Sequence, residues 1–443
     1  MPENLLVYRF FRYCSLLFFN LLTGVLLFGR SFTGILIFNF RLGEIIIGVL
    51  FCILIFLVFK HHKNIIWKEV NLTFLPLFFL IIFFVISILF DISEISIYIF
   101  KASSFIWVTT IFFISFFLIK FIPHKSWIFI IYLTIPLIIY YLNLFYFPLF
   151  LKDFFSKYSD KFDYLKGSDL VASLIFCINV AIFKLKSKKL FLFYSLFLIS
   201  LYFPFVLFKS KGAFLGLFLY LILFLFNFKK YFKLKISLVL LSVFIVNIYI
   251  SSWLVSNTQN ITSDTEEFNI GGKLNNNVTA VINQKDTISI FDSIYLQNKR
   301  IYSLDNNANW RLQIWQDVVF DLLEKNKFIF GYGFYNIIPA MDVPERQGQD
   351  GTNENVHNFL INILARGGMI LVVLYMLFLY KIFEIFYKNK LAISYLLLIL
   401  IPLLAVSFFD SSMESVRFPI IFYSSISISI YFLINNSTKN NYN

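Results

Sequence analysis

The sequence predicts an all-α integral membrane protein, and three observations carry that prediction. Of its 443 residues 59% are hydrophobic and only 14% charged, giving a mean hydropathy of +0.79. Its 61 phenylalanines exceed what a soluble core could bury. Apolar runs also recur at the length of about 20 residues that a helix rising about 1.5 Å per residue needs to cross the hydrocarbon layer. Membrane strands are disfavoured because barrel strands alternate polar with apolar residues, and lipid leaves any unpaired backbone group unsatisfied.

Taken in order, the apolar runs lie at 10–28, 42–59, 71–90, 99–119, 126–148, 168–183, 190–208, 213–227, 236–254, 357–380, 391–409 and 418–434, which predicts about twelve spans. The first follows Arg9 and Arg12 without a small-residue cleavage site and reads as a retained helix. The loop after it holds an apolar stretch between Arg30 and Arg41, with room for a re-entrant or interfacial segment. Cys14, Cys52 and Cys177 are scattered through apolar runs, so no disulfide or metal framework is visible.

Lysine clusters set the orientation. Lys60, Lys63 and Lys68; Lys120 and Lys125; Lys184 to Lys189; Lys229 to Lys235; and Lys381, Lys388 and Lys390 all fall on one side of the predicted bundle. That side is the cytoplasm by the positive-inside rule, and both termini lie there. The same clustering explains the net charge of +13 without a nucleic-acid partner. The expected organisation is a block of about nine spans (1–255), a long outer loop (256–355) and a final block of about three spans (356–443). The outer loop opens polar and Asn-rich and becomes helix-like near WRLQIWQDVVFDLLEK. A connection this long is uncommon without a function such as a lid or binding surface.

Three basic positions stand on the outer side. His357 is the only histidine expected there, at the mouth of an apolar helix with Asn358 beside it and Glu354 one turn earlier. Ile361, Leu364 and Gly368 share its stripe, with Arg366 opposite. The glycine would admit another helix or a lipid chain. Taken alone, His357 fits an interface cap as well as a functional group. Arg311 heads the apolar stripe of an amphipathic helix expected over 310–327, with Asn309 as N-cap, Trp315, Val318 and Leu322 beside it, and Gln313, Asp317 and Glu324 on the other face. An arginine there either snorkels or meets an anion. Lys209 and Lys211 lie in the tight outer turn between the seventh and eighth spans, against the positive-inside rule. Lys211, Arg311 and His357 at membrane-surface depth suit a lipid-linked phosphate or diphosphate.

In three segments the sequence resembles the O-antigen ligase and polymerase family of bacterial surface-glycan enzymes. HNFLINILARGG is similar to the family's His-Asn/Ser opening with a glycine further along the helix. WRLQIWQ followed by FGYGF resembles its Arg-x-x-x-Trp helix and Gly-x-Gly turn, and KSKGAFLG resembles its Ser-Arg-Gly segment with Lys211 in place of arginine. Leu371 stands where a second glycine is common, and no acidic residue precedes Gly368.

The resemblance implies a metal-independent glycosyltransferase without cofactor, in the bacterial inner membrane with its long loop periplasmic. The implied donor is an undecaprenyl-diphosphate-linked glycan and the acceptor is lipid A core or a growing glycan, with glycan-assembly proteins as further partners. In that role Arg311, Lys211, Lys209 and Asn358 would hold the diphosphate, and His357 would act as general base or as a phosphate donor. Two other classes compete: a flippase or transporter of lipid-linked glycan, which needs charges along a path through the membrane, and a metal-using glycosyltransferase, for which Asp91 and Glu94 are the nearest acidic pair. In the last outer loop, 410–417, Glu414 and Arg417 read either as a local ion pair or as acceptor contacts.

Overall fold

The computed structural model describes residues 2–61, 71–89, 97–122, 127–185, 187–231, 234–257, 294–304, 306–347, 355–389, 391–410 and 412–440. The Asn-rich half of the outer segment, the acidic stretch 91–96, Glu354, His62, His124 and the loop lysines Lys63, Lys68, Lys125, Lys186, Lys233 and Lys390 lie outside the described residues.

Among the described residues the secondary structure is helical apart from two short hairpins. In order come α1 (Pro2–Thr33), the hairpin β1 (Leu36–Ile37) and β2 (Phe40–Arg41), then α2 (Leu42–His61), α3 (Asn71–Leu89), α4 (Ile97–Ala102), α5 (Ser104–Trp107) and α6 (Thr110–Leu118). They are followed by α7 (Trp127–Leu144), α8 (Leu149–Tyr158), α9 (Gly167–Lys184), α10 (Lys188–Lys209), α11 (Lys211–Phe228) and α12 (Leu234–Asn257). The hairpin β3 (Ile294–Gln297) and β4 (Arg300–Ser303) leads into α13 (Asn306–Glu324) and α14 (Pro344–Gln347). Three apolar helices close the chain: α15 (Phe359–Lys388), α16 (Ile393–Phe409) and α17 (Arg417–Asn440).

Among the described residues, nine helices are long and apolar enough to cross a membrane, and three shorter apolar ones cover Leu42–Phe56, Thr73–Leu89 and Ile393–Phe409. These twelve coincide with the twelve apolar runs of the sequence. Ile393–Phe409 has 17 residues and so reaches about 26 Å, slightly under the hydrocarbon thickness of about 30 Å.

The segment expected as a single span at 99–119 is broken. Ser103 Oγ donates to the Ile99 carbonyl (2.7 Å) and Thr110 Oγ to that of Trp107 (2.6 Å). Hydroxyls that bond back to the preceding turn compete with the helix ladder; Ser103 Oγ shares the Ile99 carbonyl with the Ser103 amide (3.0 Å) where α4 ends. Helix α9 forms the centre of the bundle, buried from Gly167 to Ile182, with α7, α10, α11 and α17 packed around it. Gly216 lets α11 close on α16: a Cβ there would lie 2.4 Å from Val406 and 2.9 Å from the Pro402 carbonyl.

The amphipathic helix α13 begins at Asn306, ahead of its expected start. Asn309 is therefore not its cap; its Oδ1 accepts from the Ser303 amide (3.1 Å) and from Gln313 Nε2 (3.3 Å), tying the hairpin to the helix. The polar face is covered as well, since Gln316 and Gln313 bond the Ile301 backbone and Asp317 pairs with both Arg300 and Arg346. On the apolar stripe Ile314, Val318 and Leu322 are fully buried with Ile338, Met341, Val356 and Ala365, a second small core that fastens the outer segment to the start of α15.

Candidate functional site

Helix α15 cannot begin before Asn358. That residue is extended and its Oδ1 accepts the Ile361 amide (3.1 Å), so Asn358 is a buried N-cap. His357, one position earlier, is left-handed with φ 52. A non-glycine residue there costs roughly 1–3 kcal/mol and persists only when its surroundings fix it. They do so from α13. Trp315 Nε1 donates to the Val356 carbonyl (2.7 Å), and the Trp310 ring meets the imidazole edge-on at 5.2 Å between centroids.

A second device holds α15 further down. Gly368 is left-handed (φ 63), and the helix bends there around the Phe328–Gly333 segment. The two segments exchange backbone bonds: the Tyr332 amide to the Ala365 carbonyl (2.7 Å), Gly333 to Arg366 (2.9 Å) and Met369 to Phe328 (2.9 Å). A Cβ on Gly368 would lie 2.1 Å from the Ile329 carbonyl oxygen, and one on Gly331 2.6 Å from the backbone of Arg366. The FGYG turn and the Gly367-Gly368 pair are thus complementary, and what approaches Gly368 is this turn rather than a helix or a lipid. Arg366, 2% exposed, completes the latch by donating to the Gly333 and Asn336 carbonyls and to the Tyr98 hydroxyl.

Three further elements converge on His357. Arg311 from α13, Lys166 at the cap of α9 and Asp410 after α16 are near enough to act on its charge. Burial, then Arg311 and Lys166, push the imidazole down to about 4, with Asp410 pulling the other way. His357 is therefore neutral near pH 7. Asp410 is fixed by Ser168 Oγ at 2.6 Å. Beside Ser168, Asp169 and Arg417 form a buried ion pair (Nε to Oδ2, 2.9 Å) that clamps α9 to α17. Arg417 therefore pairs with Asp169, and a local pair with Glu414 is not formed. The carboxyl oxygens of Glu414 are shut off from solvent, while Ser104 Oγ donates to the Glu414 backbone carbonyl (2.7 Å). Burial, opposed by a backbone hydrogen bond at Glu414 and helped by Asp410, pushes this carboxyl up to about 8.

Lys209 and Lys211 flank Ser210, whose Oγ accepts the Ala213 amide at the start of α11. That turn abuts α9, because a Cβ on Gly167 would lie 2.8 Å from Ser210, and the Lys209 ammonium lies over the Tyr164 ring at 5.8 Å. Of the residues expected from sequence, Arg311 and His357 come together. Lys209 and Lys211 sit on the adjoining turn beside Lys166, and Asn358 serves the helix end. Lys166 and Asp410 were not expected. One sequence signal for Lys166 was available: like Lys209 and Lys211, it is a cation at the mouth of an apolar helix.

The profile of a family described as O-antigen ligase matches residues 193–376. The match runs from α10 through the outer segment into α15 and includes Lys209, Lys211, Arg311 and His357, whereas Lys166 and Asp410 lie outside it. No curated protein matches the chain.

Proposed function

We propose, from the match of residues 193–376 to the O-antigen ligase family, that this multi-pass inner-membrane protein transfers glycan from undecaprenyl diphosphate to lipid A core at the periplasmic face. The proposal includes all twelve apolar helices as spans, the 256–355 segment as a periplasmic domain, and metal-independent chemistry. The observation that carries it is the family match over residues 193–376, which contains Arg311 and His357, with Arg311 acting electrostatically on the buried imidazole.

The chemistry follows from those groups. The bond from the anomeric carbon to the diphosphate oxygen breaks, and a bond from the acceptor oxygen to that carbon forms. Negative charge grows on the leaving undecaprenyl diphosphate, where Arg311 offers a planar fork of donors and Lys166, Lys209 and Lys211 supply further positive charge. A neutral imidazole can take the acceptor hydroxyl proton, which a protonated one cannot, so His357 is assigned as general base. Asp410 then stabilises the imidazolium.

A transporter of lipid-linked glycan would need charges along an open path. Among the described residues, the buried charges are engaged locally: Asp169 with Arg417, and Arg366 with the FGYG turn. Purified protein supplied with lipid-linked oligosaccharide tests the transfer directly. Gene deletion separates the two acceptors. Full glycan left on its lipid with bare core marks a ligase, and loss of the length ladder with one repeat retained marks a polymerase.

A further inference from the structure

The hairpin before α13 presents a face that the site described above does not use. Tyr295 on β3 stands directly opposite Tyr302 on β4. Their rings are nearly parallel, 18° apart with centroids at 5.5 Å, and Tyr295 is 43% exposed. Cross-strand aromatic pairs of this kind stabilise a hairpin modestly, yet an isolated two-stranded hairpin is marginal in water. This one is held from outside, by Gln316 and Gln313 on the Ile301 backbone and by Asn309 on Ser303. The rings are thus displayed on a fixed support.

Their position relative to the site follows from the helix. Tyr302 shares its strand face with Arg300, two residues away, and the Arg300 guanidinium reaches Asp317 and Gln313 on α13. Asp317 lies seven residues, or two helical turns, after Trp310, so both occupy the same flank of α13. Trp310 in turn contacts His357. The hairpin that carries Tyr302 and Tyr295 is therefore fastened to the same helix whose Trp310 meets His357, and Gln297 and Arg300 share the strand face of the tyrosines.

We infer that the Tyr295–Tyr302 pair is a binding platform for sugar rings of the glycan chain, beyond the sugar that reacts. It rests on the transfer reading only for the identity of the ligand. A pyranose ring has an apolar C–H face that stacks on aromatic rings and a rim of hydroxyls that hydrogen-bond to groups such as Gln297 and Arg300. Tyrosine supplies a large, rigid contact at low entropic cost. The opposite strand face, with Leu296 74% exposed, is aliphatic and serves as an internal control.

The test uses the full chain in detergent and, as probe, oligosaccharide released from the surface polysaccharide of the source cells, titrated by saturation-transfer NMR. Wild type should bind it, and the double variant Tyr295→Ala/Tyr302→Ala should bind at least about tenfold more weakly. Tyr295→Phe/Tyr302→Phe and Leu296→Ala should match wild type. If the alanine pair fails to insert, Tyr302→Leu keeps the strand apolar, removes the ring and should show the same loss. Absence of binding by wild type, or unchanged affinity in Tyr302→Leu and the alanine pair, overturns the platform. Binding without transfer would sink the transfer reading and leave the platform standing. Transfer with unaltered affinity in the tyrosine variants would do the reverse.

Discussion

As the proposed general base, the neutral His357 should set the acid limb of the pH dependence of transfer. Free imidazole in a peptide titrates near 6.5, whereas burial and then Arg311 and Lys166 hold this one at about 4. That displacement amounts to about 3 kcal/mol against the imidazolium, or a few hundredfold in proton affinity. A general base works only unprotonated, so kcat/KM, which reports the free enzyme, should stay flat from neutral pH down to about 5 and fall to half near 4. Bound diphosphate brings negative charge beside the ring and favours its protonation. The acid limb of kcat should therefore lie above that of kcat/KM. Lys166→Gln removes one of the depressing charges and should move the kcat/KM limb upward, by less than about one pH unit at an effective dielectric near 20. The assay is initial-rate transfer from lipid-linked oligosaccharide in detergent across pH 3.5–8, with thermal unfolding at each pH to separate denaturation from titration. A wild-type kcat/KM limb near 6.5, or a downward shift in Lys166→Gln, would refute this electrostatic reasoning.

Further consequences can be measured alongside. Gly368→Ala would put a Cβ 2.1 Å from the Ile329 carbonyl oxygen at a left-handed position and should cost more than about 3 kcal/mol. It should lower the unfolding temperature by several degrees and reduce transfer, as thermal scans in detergent would reveal. Arg417→Met strands Asp169 as an unpaired buried charge and should cost about 3–5 kcal/mol, most of it recovered in the double variant Asp169→Leu/Arg417→Met. Denaturant titration of the two singles and the double provides that cycle. Glu414 titrates at about 8 in the folded protein against 4.5 unperturbed. Between those values the unfolded chain loses the proton and the folded one keeps it, so Glu414 makes stability fall as pH rises, by at most about 1.4 kcal/mol per pH unit. Unfolding temperature measured against pH should therefore slope less in Glu414→Gln than in wild type.

The apolar helices were legible because burial in lipid demands long apolar runs: each of the twelve runs corresponds to an apolar helix, nine of them among the described residues long enough to cross a membrane. The break at 103–109 was not, because Ser103 and Thr110 act through carbonyl bonds that hydropathy does not register. Arg311 and His357 stood out as polar groups at apolar places. Lys166 and Asp410 did not, since each looks like an ordinary loop charge until α9, α16 and α15 bring their ends together. The partner of Gly368 was hidden for the same reason: the FGYG turn lies far from it in sequence, and only the fold shows that the two glycine pairs fit each other. Helix periodicity placed Val318 and Leu322 correctly in the core, but it could not reveal that the polar face of α13 carries a hairpin.

The most direct test is reconstitution. Purified wild-type protein, given undecaprenyl-diphosphate oligosaccharide and lipid A core, should release undecaprenyl diphosphate and yield glycosylated core. His357→Ala and Arg311→Ala, folded and inserted, should lose transfer by at least about a hundredfold. Wild-type rates from both variants would contradict the assignment of the site.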